Sequence, residues 1–118
     1  MTSIWRSFYH SFAGLWYALK NEQSFRIQVF LGMVVLFLIL VLPLALWEVV
    51  VLLISIFMVL SMELINTTAE KIIDSFRPEI TPQAKAIKDL MTAAVLTVSI
   101  GALIIGCLIF LPKIIALF

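Results

Sequence analysis

Apolar residues fill three long stretches of this chain, and most polar residues collect outside them. The first stretch is Val29–Trp47, interrupted only by Gly32 and Pro43, the second is Val49–Met62, and the third is Leu90–Leu111, with no charge in 22 residues. About 20 helical residues cross a hydrocarbon core ~30 Å thick. Because the second stretch is short, we expect its helix to continue past it. The pattern predicts three membrane-spanning helices, over about 27–46, 48–75 (extending into the cytoplasm) and 86–111.

Prolines and one carboxylate mark the predicted helix ends. Pro43 breaks a helix, and the charged Glu48 prefers water to lipid, which predicts a short turn between the first two spans. Pro112 directly follows the third stretch and is predicted to end it. Pro78 and Pro82 bracket the loop after the second span and are expected to stop its helix.

A different pattern covers about residues 2–20. Large apolar side chains recur there at helical spacing, with polar residues between them: Ile4, Trp5, Phe8, Tyr9, Phe12, Leu15, Trp16 and Leu19. This spacing predicts an amphipathic helix lying in the membrane interface, with its tryptophans at headgroup depth. A signal peptide is the competing interpretation, but no small-residue cleavage site follows an apolar core of suitable length.

Composition agrees with a membrane protein. Of 118 residues 64% are hydrophobic and 13% charged, whereas soluble domains carry about 25% charged residues. The chain is long enough for one domain, residues 1–118, and the expected fold class is an all-α membrane protein. A net charge of +1 makes nucleic acid an unsuitable partner. The single cysteine, Cys107, excludes an internal disulfide.

The positions of the charges predict the orientation. Seven of the eight lysines and arginines lie before the first span or between the second and third, and only Lys113 lies on the other side. The rule that positive loops stay inside places these seven at the cytoplasm. Six of the seven acidic residues share that side, and Glu48 is the exception.

The most informative segment begins where the second apolar stretch ends. Glu63, Asn66, Glu70 and Asp74 follow the spacing i, i+3, i+7 and i+11. At about 100° per residue they fall within an arc of about 80° on one helix, here named the carboxylate stripe. Like charges crowded at a membrane boundary need a cation or a proton to neutralise them. Hard oxygen ligands without histidine or cysteine favour magnesium over zinc. A solvated helix end with capping residues is the plainer alternative.

A second polar cluster opens the third span. Lys85, Lys88, Asp89 and Thr92 follow the spacing i, i+3, i+4 and i+7 on the same side of the membrane. Lysines near carboxylates suit a polyphosphate substrate, although they also anchor helices at headgroups. We expect Lys88 to contact phosphate and Lys85 to be an anchor. With four glycines, the chain contains neither a P-loop nor a kinase glycine-rich loop.

These residues together resemble the small prokaryotic integral-membrane diacylglycerol kinase and undecaprenol kinase family. The resemblance covers nearly the whole chain and is carried by the following segments: Asn21-Glu22 with Phe25-Arg26, the carboxylate stripe, Ala84-Lys85-x2-Lys88-Asp89, Ala93-Ala94-Val95-Leu96, and Phe110-Leu111-Pro112-Lys113. Relatives carry an alanine one position earlier than Ala69, so we expect different packing around the site.

The resemblance implies a homotrimer in the bacterial inner membrane, with active sites at the contacts between subunits and with these sites and the N-terminus on the cytoplasmic side. Its activity would be ATP- and Mg²⁺-dependent phosphorylation of a lipid alcohol, diacylglycerol or undecaprenol. By this resemblance Glu63 is the general base, Asn66 positions the base or the substrate, and Glu22 and Glu70 bind Mg²⁺. The residues in contact with the nucleotide would be His10, Ser11, Glu22, Glu70, Asp74, Glu79, Lys88 and Asp89. The residues in contact with the lipid would be Glu63, Asn66 and Thr92.

Two hypotheses from other classes stay open on the sequence alone. A small cation- or proton-coupled transporter would also use membrane carboxylates, but it calls for ionisable residues near the bilayer midplane, and here they gather at one interface. A non-catalytic membrane subunit could show the same distribution of charge.

Overall fold

The computed structural model describes residues 2–76 and 81–118, and these form four helices without a strand among them. The helices are α1 (Thr2–Asn21), α2 (Gln23–Val41), α3 (Leu46–Phe76) and α4 (Pro82–Leu117). The last three are each long and apolar enough to cross a membrane. The predicted all-α class with three spans and an N-terminal helix is therefore confirmed.

Helix α1 is the most amphipathic of the four and packs on α2. Its aromatic side chains stay exposed, and Ala18 is its only buried residue. Such an aromatic surface suits the headgroup region of a bilayer, as the spacing predicts.

A single extended residue, Glu22, separates α1 from α2. Arg26 stabilises this break, because its Nη1 donates to the carbonyl oxygens of Leu19 and Lys20, both at 3.0 Å. A cation that satisfies the last carbonyls of a helix is a favourable C-terminal partner. The Arg26 contacts thus fix the bend at which Glu22 leaves the helical path.

Helix α2 ends earlier than expected, at Val41 rather than near residue 46. Leu42 is extended (φ −96°, ψ 150°), because a residue before proline is pushed out of the helical region by the ring of Pro43. The α2 helix also approaches α3 closely at Gly32, where a Cβ atom would lie 3.3 Å from Ile56 Cγ2.

Helix α3 is central, since it contacts both α2 and α4. Its N-terminal end carries Glu48, which is buried and not exposed to water as the sequence suggested. The Glu48 carboxylate accepts a hydrogen bond from the Ala45 N–H at 2.8 Å and lies 3.6 Å from Lys113 Nζ. These partners compensate for the loss of water, which explains why the carboxylate can be buried.

Helix α4 begins and ends outside its predicted limits of 86 and 111. Thr81 caps it, with Thr81 Oγ1 accepting from the Ala84 N–H at 3.1 Å, and Pro82 stands in the first turn, where its missing N–H costs nothing. The helix continues through Pro112 to Leu117, so the prediction that Pro112 ends it is wrong. Helices in membranes tolerate proline where neighbouring contacts support the chain, and here the Lys113–Glu48 contact lies just beyond the proline.

The main apolar core lies at the end of the bundle that contains the Pro43 turn. Leu52 of α3 packs with Ile109 and Phe110 of α4, and all three are buried. We name this core, together with the Glu48–Lys113 contact, the Pro43 end. Most other large apolar side chains are exposed, as suits surfaces that face lipid.

Candidate active site

The carboxylate stripe lies on α3 at the end of the bundle opposite the Pro43 end, as the spacing predicts. Glu63 is buried, Asn66 and Glu70 are half-buried, and Asp74 is exposed, so exposure increases along the helix away from its apolar segment. The stripe therefore runs from a poorly hydrated position into water.

Glu22 joins this stripe from the bend between α1 and α2. The negative charges of Glu70 and Glu22 lie close enough to Glu63 to act on it electrostatically. Carboxylates from two separate parts of the chain thus act on the same buried carboxylate. Crowded, poorly hydrated carboxylates attract a cation or a proton.

Asn66 is the second unusual feature of the stripe. Its Nδ2 donates to Glu70 Oε1 at 3.5 Å, a long hydrogen bond, while its buried Oδ1 has no partner among the described residues. A buried carbonyl oxygen without a donor is costly and is rare in native structures. The Oδ1 atom is therefore an acceptor that a ligand could satisfy.

Glu22, Glu70 and Asn66 offer carboxylate and amide oxygens, the type of ligand that magnesium prefers. The described residues contain no cluster of three or more His, Cys, Asp or Glu side chains that would hold a metal by themselves. Magnesium at phosphoryl-transfer sites usually takes one or two carboxylates and completes its shell with substrate phosphates and water. Two carboxylates beside an unpartnered amide oxygen meet this requirement.

Helix α4 reaches the stripe through Lys88, whose Nζ lies 2.6 Å from Asp74 Oδ1. This ion pair brings together two residues predicted to contact the nucleotide. Asp89 instead points to Lys85, at 2.8 Å within α4, and Thr92 is exposed three residues further on. Glu79, another predicted nucleotide contact, lies outside the described residues.

His10 and Ser11 lie in a cavity of about 860 Å³ between α1 and α3. Its α3 side is formed by Thr67, Thr68 and Lys71, and Tyr17 contributes from α1. Within the described part of the chain, no stripe residue lines this cavity. The structure thus places His10 and Ser11 of α1 against a neighbouring face of α3. This face is rotated by about 100° from the face that carries the carboxylates.

Sequence reasoning missed Lys71 and Tyr17. Lys71 Nζ lies 3.6 Å from Glu22 Oε1 and 5.6 Å from the centre of the Tyr17 ring. In the sequence alone, Lys71 is one of the seven positive charges that predict the orientation. The sequence offers one signal for a role of Lys71 in the site, which is its position directly after Glu70.

Three helices that could cross a membrane thus carry a group of carboxylates at one end of α3, where its apolar segment meets exposed polar residues. The family model for prokaryotic diacylglycerol kinase matches residues 9–110, and the chain belongs to this family.

Two relatives agree with the family match. The undecaprenol kinase of Bacillus subtilis is 32% identical over 113 residues, covering 96% of this chain and 92% of the relative. The diacylglycerol kinase of Synechocystis sp. is 34% identical over 112 residues, covering 94% of this chain and 64% of the relative. The chain is accordingly a lipid kinase, which transfers phosphate to a lipid alcohol. This result decides against the transporter and the non-catalytic subunit.

Proposed function

We propose that this lipid kinase transfers the γ-phosphoryl group of ATP, bound with Mg²⁺, to the hydroxyl of diacylglycerol or undecaprenol. The reaction takes place at the cytoplasmic face of the bacterial inner membrane. Family membership supports the reaction class, and the excess of lysine and arginine at the carboxylate end of the bundle supports the orientation.

The observation that carries the proposal is the meeting of Glu22, Glu63 and Glu70 where the apolar segment of α3 ends. A lipid hydroxyl resides at this depth, and a nucleotide can approach from water. Holding the two substrates together in this way would lower the barrier to transfer.

Glu63 is proposed as the general base. Its carboxylate takes the proton of the lipid hydroxyl while the hydroxyl oxygen bonds to the γ-phosphorus. The bond from that phosphorus to the β,γ-bridging oxygen breaks, and ADP leaves with the electron pair. Burial of Glu63 keeps competing water away from the transferred group.

Glu22 and Glu70 are proposed to hold Mg²⁺, which supplies positive charge to the phosphate oxygens. Asn66 orients Glu70 through its amide and offers its free Oδ1 to the ion or the substrate.

Lys88, which Asp74 holds near the stripe, is proposed to contact phosphate, and Asp89 is proposed to contact the nucleotide. His10 and Ser11 contribute from α1, and Thr92 is proposed as a lipid contact.

Undecaprenol is the acceptor we propose first. The undecaprenol kinase relative matches this chain over 92% of its own length, whereas the diacylglycerol kinase relative is matched over 64%. Both acceptors present a hydroxyl beside apolar chains, so the difference between them must come from packing at the apolar part of the site.

A transfer assay tests the proposal directly. Purified protein in detergent–lipid micelles is given γ-labelled ATP, Mg²⁺ and either undecaprenol or diacylglycerol, with and without a chelator. We expect label in the lipid fraction, loss of transfer on chelation, and a higher initial rate with undecaprenol. No labelled lipid from either alcohol would refute ATP as the donor to these acceptors, and a higher rate with diacylglycerol would reverse the order of acceptors.

We also propose a homotrimer, in agreement with the family resemblance. Native mass spectrometry of the protein in detergent measures the assembly directly. A trimer mass is expected, and a monomer or dimer that retains activity contradicts it.

A further inference from the structure

Lys71 is a charged residue at the carboxylate end that the proposed reaction does not use. It directly follows Glu70 on α3, and its ammonium group faces Glu22 at 3.6 Å. The same ammonium group lies over the Tyr17 ring, 5.6 Å from its centre, within the range of a cation–π contact. Lys71 thus contacts one of the two proposed metal ligands and directly follows the other in sequence.

The lysines of α4 provide a useful comparison. Lys88 and Lys85 form short ion pairs of 2.6 and 2.8 Å with aspartates. The Lys71–Glu22 separation of 3.6 Å is longer than both of these pairs, so Glu22 and Tyr17 hold the Lys71 ammonium group less tightly, and at least one of its three donors can reach another acceptor.

The Lys71 side chain, although 56% exposed, also lines a cavity. An anchoring lysine extends its side chain toward the lipid surface, whereas Lys71 lines the cavity that contains His10 and Ser11. Among the described residues that form this cavity, Lys71 is the only lysine, arginine or carboxylate. The remaining polar groups there are mainly hydroxyls, and those of Ser11, Thr68 and Ser75 already donate to backbone carbonyl oxygens, so Lys71 is the main source of positive charge in the cavity.

We propose that Lys71 is a further phosphate-binding residue of this kinase, positioned by Glu22 and Tyr17 at the mouth of the α1–α3 cavity. The inference rests on the proposed use of ATP. The triphosphate carries more negative charge than one divalent cation neutralises, and a lysine beside the metal ligands supplies additional positive charge. Lys71 would also connect the carboxylates to Ser11 and His10, which the fold places on the neighbouring face.

Direct nucleotide binding tests the inference. Equilibrium dialysis with Mg²⁺ and a non-hydrolysable ATP analogue compares the wild type with Lys71→Met, Lys71→Arg and Lys20→Met. Lys20 is the matched control, because it is an exposed lysine at the end of α1 on the same side of the membrane.

Loss of a charge-assisted contact in Lys71→Met should weaken nucleotide binding about 10- to 100-fold. Lys71→Arg should recover most of the loss, since guanidinium also donates to phosphate, and Lys20→Met should bind like the wild type. In steady-state assays Lys71→Met should raise KM for ATP more than it lowers kcat and leave KM for the lipid alcohol unchanged.

A second measurement on the wild type removes any dependence on the folding of a variant. Acylation with an amine-specific reagent, followed by mass spectrometry, gives the modification rate of each lysine. The Mg²⁺–analogue complex should slow modification of Lys71 and leave Lys20 unaffected.

The outcomes separate the two proposals. A wild type that neither binds the analogue nor transfers phosphate from ATP refutes the proposed function. A wild type that does both, with unchanged affinity in Lys71→Met or with no protection of Lys71, overturns the role of Lys71 and leaves the proposed function standing.

Discussion

Each end of the bundle buries a carboxylate on α3, but the groups that surround the two carboxylates differ in charge. Glu48 at the Pro43 end is 8% exposed and Glu63 at the carboxylate end is 6% exposed. Glu48 has a backbone N–H at 2.8 Å and a lysine at 3.6 Å as partners. Glu63 has the repulsive charges of Glu70 and Glu22 nearby.

This contrast shows that burial alone does not mark a functional carboxylate. A compensated charge such as Glu48 stabilises the contact between α3 and α4, because its removal would leave Lys113 without a partner. A buried carboxylate such as Glu63, which lies beside the like charges of Glu70 and Glu22, costs stability, and a protein retains that cost where a ligand repays it.

The largest expected effect is on kcat, and it is revealed by replacing glutamate with glutamine at each end of the bundle. Glu63→Gln removes the proposed base and should lower kcat by about 10²- to 10⁴-fold. Glu48→Gln keeps an oxygen that can accept from the Ala45 N–H and should leave kcat close to the wild-type value. Initial rates of labelled-lipid formation measure both, and equal losses in the two variants would remove the functional distinction between the ends.

Packing at the Pro43 end gives the next largest effect. Leu52→Ala opens a cavity against Ile109 and Phe110 and should cost about 2 kcal/mol of stability or more. Leu108→Ala is the control, because Leu108 is 71% exposed on α4 and faces no core. Unfolding in mixed micelles measures the difference, and KM for ATP should stay unchanged in both. Comparable stability of the two variants contradicts the assignment of this core.

The metal proposal predicts a smaller effect at the opposite end. Glu70→Gln keeps the shape of the side chain and removes one charged ligand, so half-maximal activity should need about tenfold more Mg²⁺, with lesser loss at saturating metal. Magnesium titrations of the initial rate provide the measurement. An unchanged magnesium requirement, with Glu48→Gln as reference, would exclude Glu70 as a ligand.

The smallest predicted effect concerns the start of α4. Thr81→Ala removes the acceptor for the Ala84 N–H and should cost about 1 kcal/mol of stability. Thr81→Ser retains the hydroxyl and should restore the wild-type value. Chemical or thermal unfolding detects the difference, and a neutral Thr81→Ala would show that the cap adds nothing to stability.

Several features were predictable because they depend on neighbours along one helix. The three spans followed from apolar stretches, and the alignment of Glu63, Asn66 and Glu70 followed from helical spacing. The turn near Pro43 followed from proline chemistry.

Other features depend on contacts between distant parts of the chain and could not be read from local pattern. The burial of Glu48 and the continuation of α4 through Pro112 involve the same contact, between Glu48 and Lys113. The contact of Lys71 with Glu22 and Tyr17 likewise requires the bend that Arg26 stabilises.

By itself the amino-acid sequence determined that the chain crosses a membrane and which side chains share the face of α3 that holds the carboxylates. The reason is that hydrophobic transfer and helical periodicity act on consecutive residues. Only the tertiary structure decided which charges are compensated, because the energy of a buried charge depends on groups brought to it from other helices. That is why Glu48 and Glu63, alike in residue type and in burial, have different surroundings at the two ends of one helix.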